Sequence, residues 1–202
     1  MPTSIQGMLT ETSKTVDALR AYQSELPLAE EQLAVYEPLA ELMRTVRVMV
    51  DSTCTDWRMA AQERTAGPQA AARELYKQVR LELEAVYGQG SIRLDEFLHT
   101  SSNVSDSAGE WLGDMEKLAG ALAANQDELT FAAERLPEVE AAAADLRAAM
   151  HEVNMKRAAK ELAQAEWEAA KTEYRAARRT LRSKLAAHFG ARNHPRLKDF
   201  FD

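Results

Sequence analysis

Residues 36–60 read YEPLAELMRTVRVMVDSTCTDWRMA. Within them Tyr36, Leu39, Met43, Val46, Val50, Thr53, Trp57 and Ala60 follow one another at steps of three and four. An α-helix turns once per 3.6 residues, so such steps bring all eight side chains to one face, the seam of a helix packed lengthwise on a neighbour. A half-buried strand would alternate instead, and this stretch does not. Val35, Leu42 and Met49 form a second apolar line beside the seam, so this helix is expected to meet two neighbours. Pro38 falls inside the pattern; it either kinks the helix or sets 28–37 apart as a separate turn.

The same periodicity extends on both sides. Upstream, Ile5, Leu9, Thr12, Val16, Leu19 and Leu26 predict a helix over 4–25, with Met8 and Tyr22 widening its face. The Leu26-Pro27 step disfavours α geometry at Leu26 and places Pro27 at the start of the next helix. Downstream, Gly67 and Pro68 are expected to end one helix and start another. That third helix spans 68–87, with Ala72, Leu75, Val79, Leu83 and Val86 on one face. GQGS (88–91) breaks it, a short amphipathic helix around Ile92, Phe97 and Leu98 follows, and TSSNVSDSAG (100–109) reads as a connection.

From Trp111 the heptad returns through Met115, Leu118, Leu122, Asn125, Leu129, Ala132, Leu136, Val139, Ala143, Leu146, Met150 and Val153. It runs unbroken across Pro137, so Leu136-Pro137 is either a kink in one long helix or a hairpin corner. The corner is preferred, because Leu26-Pro27 sets the same layout in the N-terminal half and two docked hairpins bury all four seams. The last helix, 137–189, then has about 53 residues and a length of about 80 Å. Its seam falters at Arg157 and Lys160, both charged, and resumes one residue early at Ala163, Trp167, Ala170, Tyr174, Ala177, Leu181 and Leu185. A phase break with charges on the seam marks a change of neighbours. Gly190 and Pro195 are stop signals, and a short tail ends in Phe200 and Phe201.

Composition agrees with helix. Only 8 glycines and 6 prolines punctuate 202 residues, too few for the turns of an all-β fold. Residues 1–150 hold 25 Asp/Glu and 13 Lys/Arg, whereas 151–202 hold 7 and 12, an acidic body with a basic end. One cysteine, Cys54, cannot close an internal disulfide. The start, MPTSIQGMLTETSK, lacks a basic region followed by an apolar one, and no run approaches the length of a membrane span. The expected location is cytoplasmic, and the heavy use of alanine points to a GC-rich bacterial or phage genome.

Sites with chemistry are sparse. Glu96 and His99 are spaced as one half of a di-metal bundle site, but His151, His188 and His194 have no Glu three residues before them. Cys54 sits beside the seam as a small core residue. Ser105 or Asp106 suits a helix N-cap, Asn125 and Thr53 read as polar residues that set register, and Trp57, Trp111 and Trp167 read as core anchors. No nucleophile elbow, phosphate loop, dinucleotide fingerprint or zinc pattern is present. No catalytic, cofactor or metal residue is therefore expected. Lys171, Arg175, Arg178, Arg179 and Arg182 lie along one helical face as a candidate anion-binding ridge.

These readings predict an all-α protein, an elongated antiparallel helical bundle or set of coiled-coil hairpins with one very long C-terminal helix. Residues 1–154 form its body, 155–189 project as the basic part of the last helix, and 190–202 are a tail. The expected function is that of a non-enzymatic scaffold or adaptor. It self-associates, or binds another protein, through Trp167, Ala170, Tyr174, Leu181, Leu185, Phe200 and Phe201, which the chain lacks the length to cover. A chain cut near Lys160 would then remain a folded bundle. A nucleic-acid-associated protein using the basic ridge is the alternative, and a metal-binding or enzymatic bundle the third reading.

Overall fold

The computed structural model describes residues 5–98, 107–191 and 194–201, and among these residues every regular element is helical. Among the described residues seven α-helices occur: α1 (Ile5–Ala21), α2 (Ala29–Arg64), α3 (Ala70–Tyr87), α4 (Leu94–Phe97), α5 (Ala108–Ala124), α6 (Ala132–His188) and α7 (Lys198–Phe201). No helix is long and apolar enough to cross a membrane among the described residues. The all-α bundle with a long C-terminal helix is as the periodicity predicts.

Corners fall where local chemistry, not proline alone, stops a helix. Leu26 is buried in the turn between α1 and α2, with its N–H on the carbonyl of Tyr22 at 2.9 Å. Pro38 stays inside α2, on the same exposed side as Ala34, whose carbonyl loses its usual partner to the proline ring. Gly67 and Pro68 do not separate two helices. They lie in a π-helical segment, Thr65–Gln69, that joins α2 to α3 without a non-helical residue and packs against α5. A single wide turn accommodates a residue with no N–H and a ring that clashes with the preceding turn, so the helix survives a pair that ordinarily breaks it.

Leu136-Pro137 is not a hairpin corner either. The reversal lies earlier, between Ala124 and Ala132, and Pro137 is the sixth residue of α6. Asn125 ends α5: its backbone N–H reaches the carbonyls of Ala121 and Leu122, and its side-chain amide donates to Ala121 O at 2.8 Å. Asn125 is thus a cap and not a register residue, and α6 extends to 57 residues. The heptad crosses the reversal in phase because Leu129 and Ala132 fill the turn, buried at 1% and 0% exposure. Thr53 likewise sets no register across helices; its hydroxyl donates to Met49 O of its own helix at 2.7 Å.

The chain divides into two compact units: Met1–Cys54 with Ala159–Asp202, and Thr55–Ala158. This differs from a 1–154 body with a projecting end, because the C-terminal half of α6 belongs to the same unit as α1.

In the second unit α3, α5 and the first half of α6 enclose Tyr76, Val79, Leu83, Phe97, Met115, Leu118, Leu122, Val139 and Leu146. Trp111 anchors it, edge-on to Tyr76 at 5.7 Å. Lys117 Nζ donates to Asp95 O and Leu98 O at 2.8 and 2.6 Å, satisfying carbonyls at the end of α4. Arg135 grips Glu82 with two nitrogens, at 3.1 and 2.5 Å, and so ties the start of α6 to α3.

The first unit is built from α1, the first half of α2, the second half of α6 and the tail. Leu19, Tyr36, Ala40, Leu181, Leu185, Leu197 and Phe200 form one core, and Met8, Leu39, Met43, Val46, Trp167, Ala170 and Tyr174 form the adjoining one. The seam of α6 beyond Ala163 is therefore covered within the chain. The reason is topological: helices joined far apart in sequence meet once the acidic N-terminal elements return alongside the basic C-terminal helix.

Candidate functional site

One cluster concentrates buried polar groups. Glu11 on α1 and Arg178 on α6 form an ion pair whose side chains are 7% and 8% exposed. α1 has an apolar face on which Glu11, Thr12 and Thr15 are also buried. Thr12 satisfies itself locally on Met8 O at 2.7 Å, whereas the single hydroxyl proton of Thr15 lies within reach of both Glu11 O at 2.9 Å and Phe200 O of the tail at 2.7 Å. Glu11 has no such outlet and reaches the guanidinium instead. Above the pair the Phe201 ring lies 5.0 Å from Arg178 Cζ, a cation–π contact.

The phenols of Tyr36 and Tyr174 share this interior. Both hydroxyls, together with Glu11 Oε2, are buried without a well-formed hydrogen bond. Burial pushes both phenols well above their ordinary value near 10, and the Glu11 carboxylate adds to the rise. Arg178 opposes the rise by favouring the charged form of each tyrosine.

Below pH 10 both phenols are neutral whether the chain is folded or not. Above it the unfolded chain releases protons that the native state keeps, so the stability that the neutral phenols contribute is lost as pH rises past 10. In an alkaline titration followed at ~295 nm, Tyr36 and Tyr174 are expected to ionise only as helical circular dichroism is lost. The variants Tyr36→Phe and Tyr174→Phe should each remove part of that linked absorbance change. Ionisation of both phenols near 10 with helicity retained would contradict this placement.

The tail closes over the same unit. Thr15 Oγ1 donates to Phe200 O at 2.7 Å, and Tyr22 Oη donates to Asp199 Oδ2 at 2.7 Å. Arg196 pairs with Glu25 at 3.0 Å and lies 5.6 Å from the Tyr22 ring centre. Phe200 is fully buried against Tyr22 at 5.6 Å.

The residues expected to face a partner are thus mostly inside. Trp167, Ala170, Tyr174, Leu181, Leu185 and Phe200 are buried in this chain's own cores, and Phe201 is half-buried on Arg178. The expectation that α6 outruns its cover is corrected: α1, α2 and the tail supply it.

The basic ridge is divided in the same way. Arg178 is spent on Glu11, Lys171 pairs with Glu168 at 2.9 Å, and Arg175 is half-buried. Arg179 and Arg182 remain exposed and line an open cleft of about 640 Å3 with Ser183 and Gly190. Lys184 pairs with Glu31 at 2.7 Å. The basic end of the sequence is largely the counterpart of the acidic residues on α1 and α2. The unit holding both carries 14 Asp/Glu and 14 Lys/Arg, against 18 and 11 in the other.

Among the described residues no three His, Cys, Asp or Glu side chains converge as metal ligands. His151 and His188 are exposed, and His194 stacks on Phe189 at 4.8 Å while accepting the Arg196 N–H. His99, Ser105 and Asp106 lie outside the described residues, so neither the Glu96–His99 pair nor that cap is described. Ser107 caps α5 instead, accepting from Glu110 N at 3.3 Å. Cys54 is free and half-buried.

The second apolar line of α2 has a different fate from its seam. Val35, Leu42 and Met49 are 45%, 41% and 37% exposed. α2 meets two neighbours, α1 and α6, along its seam, and this second line is left only part-covered. No family model matches this chain, and neither curated proteins nor solved structures offer a match to it.

Proposed function

We propose that this chain is a non-enzymatic structural or interaction protein, a helical scaffold or adaptor that binds through the exposed line of α2. The supporting observation is the repeat of Val35, Leu42 and Met49 at intervals of seven on one helix line, left partly in water. Single exposed apolar side chains are ordinary on any protein surface and need no explanation. A line with heptad period is different, because that spacing is what a partner helix reads. The C-terminal seam does not serve this role, since its residues are taken up inside the first unit.

The basic ridge supports a nucleic-acid reading less well. Two of its five cations are engaged by Glu11 and Glu168, which weakens the continuous positive face that phosphate contact requires.

A photo-crosslinking amino acid at position 42, introduced in the native host, tests the proposal. Covalent protein adducts are expected at 42 in excess of those from Glu140, an exposed polar position on α6. Equal yields at the two positions would dispose of the α2 line as an interaction surface.

A further inference from the structure

We propose that the cleft beside Arg179 and Arg182 binds a compact phosphate group, either free or as the monoester of a small molecule. This goes beyond the α2 line and does not depend on it. Charge comes first. From Tyr174 to Lys198 the sequence holds no Asp or Glu. The acidic residues that pair with this stretch from elsewhere are Glu11, Glu25 and Glu31, and each is already spent, on Arg178, Arg196 and Lys184. Among the described residues Arg175, Arg179 and Arg182 hold no carboxylate, whereas Arg20, Arg44, Arg47 and Lys171 of the same unit each do. Unpaired positive charge therefore gathers toward the end of α6 and leaves a positive field there.

The helix brings these cations together. Steps of four and three set Arg175, Arg179 and Arg182 on one side of α6, spread over about 60° at ~100° per residue. Ala186 continues that side, and its small side chain leaves room between the arginines and the end of the helix. The cleft of about 640 Å3 that results is lined by Arg179, Arg182, Ser183, Ala186 and Gly190. Ligand-sized sites have volumes of ~300–1,000 Å3. Gly190, at a φ of 71°, turns the chain out of the helix, and Ala191 lines the cleft with it.

The donors select the ligand. Arg179 is three residues before Arg182 and four before Ser183, so two guanidinium forks and a hydroxyl are neighbours on one surface. A guanidinium fork bonds two oxygens of an anion side by side. One fork satisfies a carboxylate; two forks and a hydroxyl match the several oxygens of a phosphate. The last carbonyls of α6 disfavour an anion at the Gly190 end. The phosphate then sits at the arginines, with any attached apolar body over Ala186 and Ala187. Arg175 is half-buried, so the row offers two open cations and not the several that a nucleic-acid backbone engages.

NMR of the full chain, titrated with inorganic phosphate in about 50 mM salt, is expected to show saturable shifts at the amides of Ser183, Ala187 and Gly190, with a Kd on the order of 1 mM. Arg179→Gln with Arg182→Gln should weaken binding at least about ten-fold. Arg44→Gln with Arg47→Gln removes the same charge from α2 and should change it less than about two-fold. Phenyl phosphate distinguishes the two sources: tighter binding than inorganic phosphate assigns a monoester, and equal binding assigns the free ion. Shifts that stay linear up to about 20 mM phosphate would overturn the proposal, as would equal weakening by the two double variants. So would an oligonucleotide that displaces phosphate with a steep dependence on salt, because the row would then grip a polymer.

Discussion

An Arg178→Ala chain is expected to lose about 3–5 kcal/mol of stability, because it strands the Glu11 carboxylate in the interior with no counter-charge. The pair is almost fully enclosed, so deletion of the guanidinium leaves a buried anion with only the neutral Tyr174 phenol beside it and no counter-charge. Phe201 loses the cation beneath its ring in the same step. Removing both charges, as Glu11→Gln with Arg178→Met, is expected to restore most of the loss, since well-packed neutral groups avoid the desolvation that the ion pair has to offset.

Urea unfolding of a chain whose only tryptophan is Trp167 reads this, because Trp167 lies in the core of the same unit. A loss under about 1 kcal/mol for Arg178→Ala would mean that water reaches the pair and that the cluster is not the dry site described.

Truncation at Lys160 is expected to unfold α1 and the first half of α2 while leaving the Thr55–Ala158 unit helical. The cut removes Trp167, Tyr174, Leu181 and Leu185, each buried at 7% exposure or less. At about 1.5–3 kcal/mol per large apolar side chain, the loss approaches the whole 5–15 kcal/mol by which a domain is stable. Both cores of the first unit lose one of their three walls, and the face of α1 bearing Met8, Val16 and Leu19 is left in water.

The other unit keeps its core, since every buried member of it lies between Ala72 and Leu146. Hydrogen exchange should then show fast amides over α1 and slow ones over α3 and α5. Protected amides in α1 of the truncated chain would show that α1 is covered by something other than α6. This outcome reverses the sequence-based expectation that a chain cut near Lys160 remains a folded bundle, and the reversal has one cause: α6 is a wall of the first unit and not an appendage to it.

The periodicity alone identified most of the buried faces. Tyr36, Leu39, Met43 and Val46 on α2, Trp111 to Leu122 on α5, and the α6 seam from Ala163 to Leu185, with Ala177 part-buried, are covered where steps of three and four placed them. Tyr76, one heptad before Leu83 and so on the same side of α3, is buried as well, its ring packed edge-on to Trp111. Val86, on that face, is 54% exposed, one residue before the helix ends. Proline was the less faithful guide: Pro38, Pro68 and Pro137 are all inside helical runs. A missing N–H costs a hydrogen bond, and packing of the surrounding turns offsets that cost.

The candidate site was barely legible. Arg178 was visible as one member of a ridge, but nothing local tells it from Arg175 or Arg179, and its partner lies 167 residues away. The polar residues interrupting the face of α1 were the available signal, and of them only Thr12 was read as part of that face.

By itself the sequence determined that the chain is helical and which side of most helices is buried, because the spacing of apolar residues is a property of each helix alone. Tertiary structure decided what covers each side: that α1 and the tail close over the end of α6, that the basic end neutralises the acidic start, and that the Val35–Leu42–Met49 line is left over. A helix repeats along its own axis and so records that it has a neighbour. Which neighbour is set by loop reversals and by contacts between residues distant in the chain, and no local pattern carries that information.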